Sequence, residues 1–294
     1  MSCGRGISAQ PSRDAPTARP ERVLLRRPLT YAQPGDMNTP YYRPDLALVH
    51  DRGFAFHADG CAPDILTLLE PILQRRGMVL ELGCGSGHLT RHLVEAGHRV
   101  IATDASLAML DLTHDHVPGA EAVRQLVLPD DPMPPADAIV SVGHALSYLP
   151  TRHAVHHALA SAADALNPQG VLALDLCDLS WGAHRSEEAT VGRVGDDWAI
   201  VTRYLLPKPD VFVRQMAVFL RNDDGSWRRD DERHDNVLVD TSQIPTLLAG
   251  HSVQATVGPS FGAYPLPEGL MAVVGQKRPA AAARAPQPLS TGTG

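Results

Sequence analysis

The chain has 294 residues, 44% hydrophobic and 20% charged, a length and composition that suit one sizeable α/β domain with an insertion or two small domains. Its formal charge of −7 and its 5% of aromatic residues argue against a polyanionic partner and against a base-stacking surface. No apolar run reaches the roughly 18–20 residues that cross a bilayer, and four scattered cysteines without a CxxC pair argue against a disulfide framework or structural zinc. A protein of the reducing cytoplasm is expected, with neither membrane nor nucleic-acid partner.

Residues 1–40 carry Arg5, Arg13, Arg19, Arg22, Arg26 and Arg27 among prolines and small residues. Such a segment has too little apolar surface to offset its ordering entropy, so a disordered leader is expected, and likewise a disordered tail over 279–294. Between them, 41–278 reads as the folded domain. The spacing of Ile65, Leu66, Leu68, Leu69, Ile72 and Leu73 predicts a helix that Gly77 stops. Met78–Leu82 is a short apolar strand running into a glycine turn. A helix with Leu89, Leu93 and Val94 on one face ends at Gly97, and Arg99–Thr103 is the second strand. Ser106 can cap the helix that follows. Residues 122–128 and 137–142 read as the third and fourth strands. Arg152–Leu166 is helical until Asn167-Pro168-Gln169-Gly170, after which 171–176 is the fifth strand.

This alternation predicts an α/β fold with a doubly wound, mostly parallel sheet, whose ligand crevice lies at the carboxyl ends of the strands. The pattern then changes. Residues 198–206, 211–221 and 226–239 read as three strands, with a hairpin turn at Asn222-Asp223-Asp224-Gly225. They predict an antiparallel sheet inserted after the fifth strand, over about 185–240, beside the crevice as a lid or substrate wall. A helix near 241–248 and strands near 253–257 and 270–275 complete the main sheet.

The first strand ends in Glu81-Leu82-Gly83-Cys84-Gly85-Ser86-Gly87. Glycines there let a ligand approach the main chain, and the next helix offers free N–H groups. The spacing is GxGxG. The dinucleotide fingerprint GxGxxG needs glycine at position 88, where His88 stands. Asp104 follows about 20 residues after the first glycine, at the end of the second strand, where a carboxylate can accept from both hydroxyls of a ribose. The competing role for Asp104 is a helix cap.

Four stretches resemble the class I S-adenosylmethionine-dependent methyltransferases: 79–87, 100–106 with Met109, 136–141, and 166–172. The resemblance spans about 60–275 and implies a seven-stranded sheet with S-adenosylmethionine as cofactor. It implies that Gly83, Cys84, Gly85 and Gly87 hold the methionine part, with Glu81 fixing the loop and the ammonium group. Asp104, with Ala105 beside it, is to hold the ribose, and Met109 to pack near the adenine or simply in the core. Many relatives place an aspartate after the third strand. Gln125 stands in that neighbourhood here and is the substitute candidate. Gly143, just beyond the fourth strand, is to approach cofactor and substrate, and segments equivalent to 50–54 close over the cofactor in relatives.

His144 is the candidate general base, because an imidazole there can take a proton near neutral pH; its alternative role is to shape the pocket. Tyr148, His184, His234 and Tyr264 are weaker candidates. His153, His156 and His157 share one helix face without a partner at ligand spacing, so a solvated face is expected and no metal. The mixed run Arg228–Arg233 reads as an exposed strand edge. The reading is methyl transfer to O, N or C of a small molecule. The alternatives are a nicotinamide-dependent oxidoreductase and a non-catalytic cofactor-binding protein of the same fold.

Overall fold

The computed structural model describes residues 41–183 and 190–279, so the expected leader, His184 and the tail from 280 lie outside the described residues. Two helices open the chain, α1 (Pro44–Gly53) and α2 (Phe56–Gln74). Then come β1 (Met78–Leu82), α3 (His88–Glu95), β2 (Arg99–Asp104), α4 (Leu107–His116), β3 (Ala122–Gln125), β4 (Ala136–Ser141), α5 (Arg152–Ala165) and β5 (Leu166–Cys177). Four strands follow, β6 (Val191–Val194), β7 (Trp198–Lys208), β8 (Val211–Arg221) and β9 (Trp227–Val237). The chain closes with α6 (Ile244–Gly250), β10 (Val253–Gly258) and β11 (Leu270–Lys277).

The main sheet has seven strands in the order β10-β11-β5-β4-β1-β2-β3. β1 pairs in parallel with β2 and β4, while β11 runs antiparallel between β5 and β10. Its order reverses between β1 and β4, and a doubly wound sheet binds ligands at the carboxyl ends beside that reversal. Helices cover both faces. On one, Ile65, Leu69 and Ile72 of α2 are fully buried against Val79, Val100 and Val140; on the other, α5 buries Val155, Ala158, Leu159 and Ala162. Each such large aliphatic contributes about 1.5–3 kcal/mol by leaving water.

The inserted sheet is antiparallel with order β6-β7-β8-β9. It has four strands where the sequence predicts three. The added one, β6, is exposed along its length and carries no burial pattern to read. Trp198, Ile200, Met216, Val218 and Leu220 of this sheet pack on Leu46 and Val49 of α1, forming a core of their own. The first helix therefore depends on the insertion for its burial. The third parallel strand ends at Gln125, three residues short of the predicted end, because its partner β2 itself ends at Asp104, whose carbonyl takes the last ladder bond from Leu126 N–H at 3.1 Å.

Candidate active site

Glycine loop and Asp104 meet at the carboxyl ends of β1 and β2. Asp104 Oδ2 accepts from Gly85 N–H at 3.0 Å and its Oδ1 from Ser106 N–H at 2.8 Å. Cys84 N–H donates to Thr103 O at 2.8 Å. The acid thus ties loop, strand and helix start into one frame, and burial raises its pKa above the ordinary range. Both roles of Asp104 can coexist, since a carboxylate has about four lone-pair sites and the backbone N–H groups of Gly85, Ala105 and Ser106 do not fill them.

The remaining predicted residues divide by position. Gly85 lies at φ +58° and a Cβ there would meet nothing within 4 Å; the same holds for Gly143 at φ +98°. Open space therefore stands over both. A Cβ on Gly83, by contrast, would lie 2.3 Å from Ala145 Cβ, so the turn after β4 is seated directly on the loop. Gln125 is exposed and donates from Nε2 to Ala105 O at 2.9 Å, beside Asp104. Three residues sit beneath this rim. Glu81 is buried, accepts from Thr90 Oγ1 at 2.7 Å, and is pushed up to about 8 by burial. Its side chain backs the loop from below. Cys84 turns its thiol toward Thr113 Oγ1 at 3.7 Å, leaving its backbone for a ligand, and Met109 is 1% exposed within the core.

A ring of polar and aromatic side chains gathers where the inserted sheet faces the turn after β4. Tyr42 and Tyr148 hydroxyls lie 2.8 Å apart, and the Tyr42, Tyr148 and Tyr41 rings surround His234 with centroids at 4.7–5.5 Å. Glu232 on β9 faces His234 Nε2 at 2.7 Å and accepts from the N–H groups of Tyr42 and Arg43. The mixed-charge run is thus only partly a solvated edge: Glu232 is 2% exposed and fastens the entering chain, because alternate side chains of β9 point inward. Arg214 on β8 stacks over Tyr148 at 5.5 Å and reaches Tyr42 Oη and His234 Nδ1 only at 3.5 and 3.4 Å.

His144 belongs to this ring. It stacks on Tyr148 with centroids 5.6 Å apart, and its Nδ1 is buried without a partner. Burial, then the Arg214 charge, pushes its pKa to about 3, and the same two causes bring His50 to about 3 and His234 well below the ordinary value. A neutral imidazole of such low basicity suits shaping a pocket better than taking protons. Tyr264 lies against Gly60 of α2, away from the ring. His153 and His157 are exposed on α5.

Residues that sequence reasoning missed are Tyr42, His57, Asp175, Arg214 and Glu232. Only Asp175 left a local sign, a carboxylate set inside the apolar strand 171–176.

His88, at the position where the dinucleotide fingerprint has glycine, takes up another task. Its Nε2 lies 3.3 Å from Asp51 Oδ1 and 3.1 Å from Asp51 O, and His116 Nδ1 lies 3.5 Å from the same carboxylate. Together with Ser106 Oγ donating to Tyr42 O at 2.8 Å, these contacts clasp α1 onto the helices that flank the loop. The Asp51 hydrogen bond raises His88 above 6.5, against burial and the nearby Arg91 charge. Burial is the largest influence on Asp51 and pushes it up, but the His88 and Ser86 hydrogen bonds and the His116 and His88 charges together outweigh it and leave Asp51 below 3.8. His88 therefore stabilises most below 6.5 and loses that contribution as pH rises through its raised value; Asp51 contributes above 3.8. Asp51→Asn is expected to cost about 1–2 kcal/mol near pH 6, with the deficit shrinking toward about pH 9 in denaturant titrations. A deficit constant across that range would refute the clasp.

The residues present fit S-adenosylmethionine: open space over Gly85 and Gly143, a carboxylate with spare lone pairs at the end of β2, and the exposed amide of Gln125 held beside it on Ala105 O. Residues 79–170 match the family model described as a methyltransferase domain. YqeM of Bacillus subtilis, named as a methyltransferase, is 26% identical over 188 residues, spanning 61% of this chain and 74% of that protein. An S-adenosylmethionine-dependent methyltransferase from Clostridium acetobutylicum shares the fold with TM-score 0.66 at 14% identity, over 79% of this chain and 97% of that one. The sugar N-methyltransferase KedS8 from Streptoalloteichus shares it with TM-score 0.64 at 19% identity, over 84% and 98% of the two chains. Residues 79–170 thus carry a methyltransferase domain, and the chain has the fold of S-adenosylmethionine-dependent methyltransferases. The nicotinamide reading falls away, in keeping with a GxGxG loop and a side chain at position 88.

Proposed function

We propose that the protein methylates N or O of a small polar molecule held between the inserted sheet and the carboxyl ends of the parallel strands. The observation that carries this is the enclosed ring of Tyr42, Tyr148, His144, Arg214, Glu232 and His234 beside the open space over Gly143. Such a ring suits a ligand of metabolite size. KedS8, with the same fold, is a sugar N-methyltransferase, which supports the small-molecule reading by analogy. The cofactor, when bound, supplies an electrophilic sulfonium methyl.

What the chain must add is alignment, which can lower a barrier by about 7–11 kcal/mol. Asp104 and the loop fix the cofactor end, and the ring fixes the acceptor. Glu81, pushed up to about 8, is largely protonated at neutral pH and steadies the loop through Thr90. The Arg214 cation disfavours a second positive charge nearby, so an amine entering the ring sheds its proton more readily and exposes its lone pair. No helix among the described residues is long and apolar enough to cross a membrane, and Cys61 and Cys84 are buried thiols, which supports a reducing cytoplasm as its location.

The test is release of S-adenosylhomocysteine, read by mass spectrometry, with glucosamine, ethanolamine, tyramine and free amino acids as acceptors. Turnover of at least one is expected, falling about 10²-fold or more in Arg214→Met as the acceptor loses its alignment. Tight cofactor binding without turnover on any small molecule would favour the non-catalytic alternative. Methylation confined to tRNA, DNA or protein would refute the small-molecule reading.

A further inference from the structure

Asp175 is a carboxylate with no exposure at all, set in the middle of the sheet on β5. Its Oδ1 accepts from His144 N–H at 2.6 Å and its Oδ2 from Gly143 N–H at 2.9 Å, which pins the turn bordering the open space. The same Oδ2 faces His57 Nε2 at 3.1 Å. His57 lies in the first turn of α2, and its side chain keeps 18% of its exposure while its partner keeps none. An ionised carboxylate only accepts, so the imidazole proton sits on Nε2 and the Nδ1 lone pair is left free.

The groups around His57 come from four elements. Asp175 faces it from β5, His50 from α1 and His144 from the turn after β4, while Tyr264 packs on Gly60 one turn along α2. His50 and His144 have no carboxylate partner, and burial beside Arg214 holds both neutral. His57 differs from them in having a carboxylate to balance the charge it would gain. That is the arrangement a proton acceptor needs: orientation from one side, an exposed lone pair on the other.

We propose that His57, held by Asp175, takes the proton of the methyl acceptor. The inference rests on the small-molecule reading given above. The O–H or N–H bond of the acceptor breaks, its electron pair stays on the acceptor atom, and the proton bonds to His57 Nδ1. The imidazolium is offset by Asp175 and returns the proton to water after product leaves. Asp175 is a positioning residue in this scheme, acting through His57 and through the Gly143–His144 turn.

The test uses the full chain with S-adenosylhomocysteine bound. Nitrogen-15 NMR of the His57 ring is expected to show the Nε2–H tautomer, and Asp175→Asn to lower its proton affinity about tenfold or more. An Nδ1–H tautomer, or a proton affinity indifferent to Asp175→Asn, would overturn the dyad. With whichever of glucosamine, ethanolamine or tyramine turns over, His57→Gln is expected to lower kcat/KM about 10²–10⁴-fold and to abolish the acidic limb of the pH–rate profile. His144→Asn is expected to retain that limb. Persistence of the limb in His57→Gln, or a tenfold weaker S-adenosylhomocysteine affinity in that variant, would also overturn the proposal, the latter by making His57 a cofactor ligand. If neither these three probes nor the free amino acids turn over, the small-molecule reading is what fails, and the ring tautomer still decides the dyad.

Discussion

Asp104→Ala is expected to weaken S-adenosylmethionine binding by about 10²-fold or more, and Gly85→Val to abolish it in a chain that still folds. The two substitutions fail for different reasons. Asp104 offers the ribose two hydrogen bonds to a charged acceptor, each contributing on the order of 1.5–3 kcal/mol, and alanine offers none. It also releases the N–H groups of Gly85 and Ser106, so part of the loss is a loop that no longer keeps its shape. Valine at position 85 acts by bulk. The space in front of Gly85 is open to 4 Å, and a branched side chain would fill the volume that the cofactor needs. Its left-handed backbone at φ +58° adds a penalty of about 1–2 kcal/mol, small beside the stability of a domain. Calorimetry with circular dichroism as the folding control checks both. Affinity retained within threefold in either variant would mean that the cofactor lies elsewhere.

The second large effect is on stability. Asp175→Leu is expected to cost about 3–5 kcal/mol in denaturant unfolding, among the largest single effects in the chain. The side chains are similar in size, so no cavity explains the loss. What remains after substitution is two half-buried backbone N–H groups, at Gly143 and His144, without acceptors, each costing on the order of 1–3 kcal/mol, and an imidazole without its partner. Asp175→Asn keeps one oxygen in place and should cost markedly less, which is why it serves as the conservative probe of His57. A near-neutral Asp175→Leu would show that the turn after β4 is held by packing alone.

Local signals made the parallel part of the fold legible. The apolar runs at 78–82, 99–103 and 171–176, the glycine turn and Asp104 are each short-range patterns, and the structure brings the glycine turn and Asp104 to the ends of the adjacent strands β1 and β2. The inserted sheet was legible for a similar reason, because the Asn222–Gly225 turn separates two long runs. Helix α1 was not. Its apolar residues Leu46, Ala47 and Val49 are few, and what buries them is the inserted sheet, some 150 residues further along. The acceptor side of the site was hidden by the same non-locality. Tyr42, His57, Tyr148, Asp175, Arg214 and Glu232 come from six separate segments, and no spacing in sequence announces their meeting. His144 shows the converse: its place beside Gly143 was readable, but the burial and the Arg214 charge that strip its basicity come from the tertiary structure.

The most direct test of the account is a crystal structure of the full chain with S-adenosylhomocysteine. The predicted result has the ribose hydroxyls on Asp104, the adenine beside Gln125, and the sulfur facing the space over Gly143 with His57, Tyr148 and Arg214 around it. A sulfur directed away from that space, or a purine lying within it, would contradict the assignment of cofactor and acceptor sides.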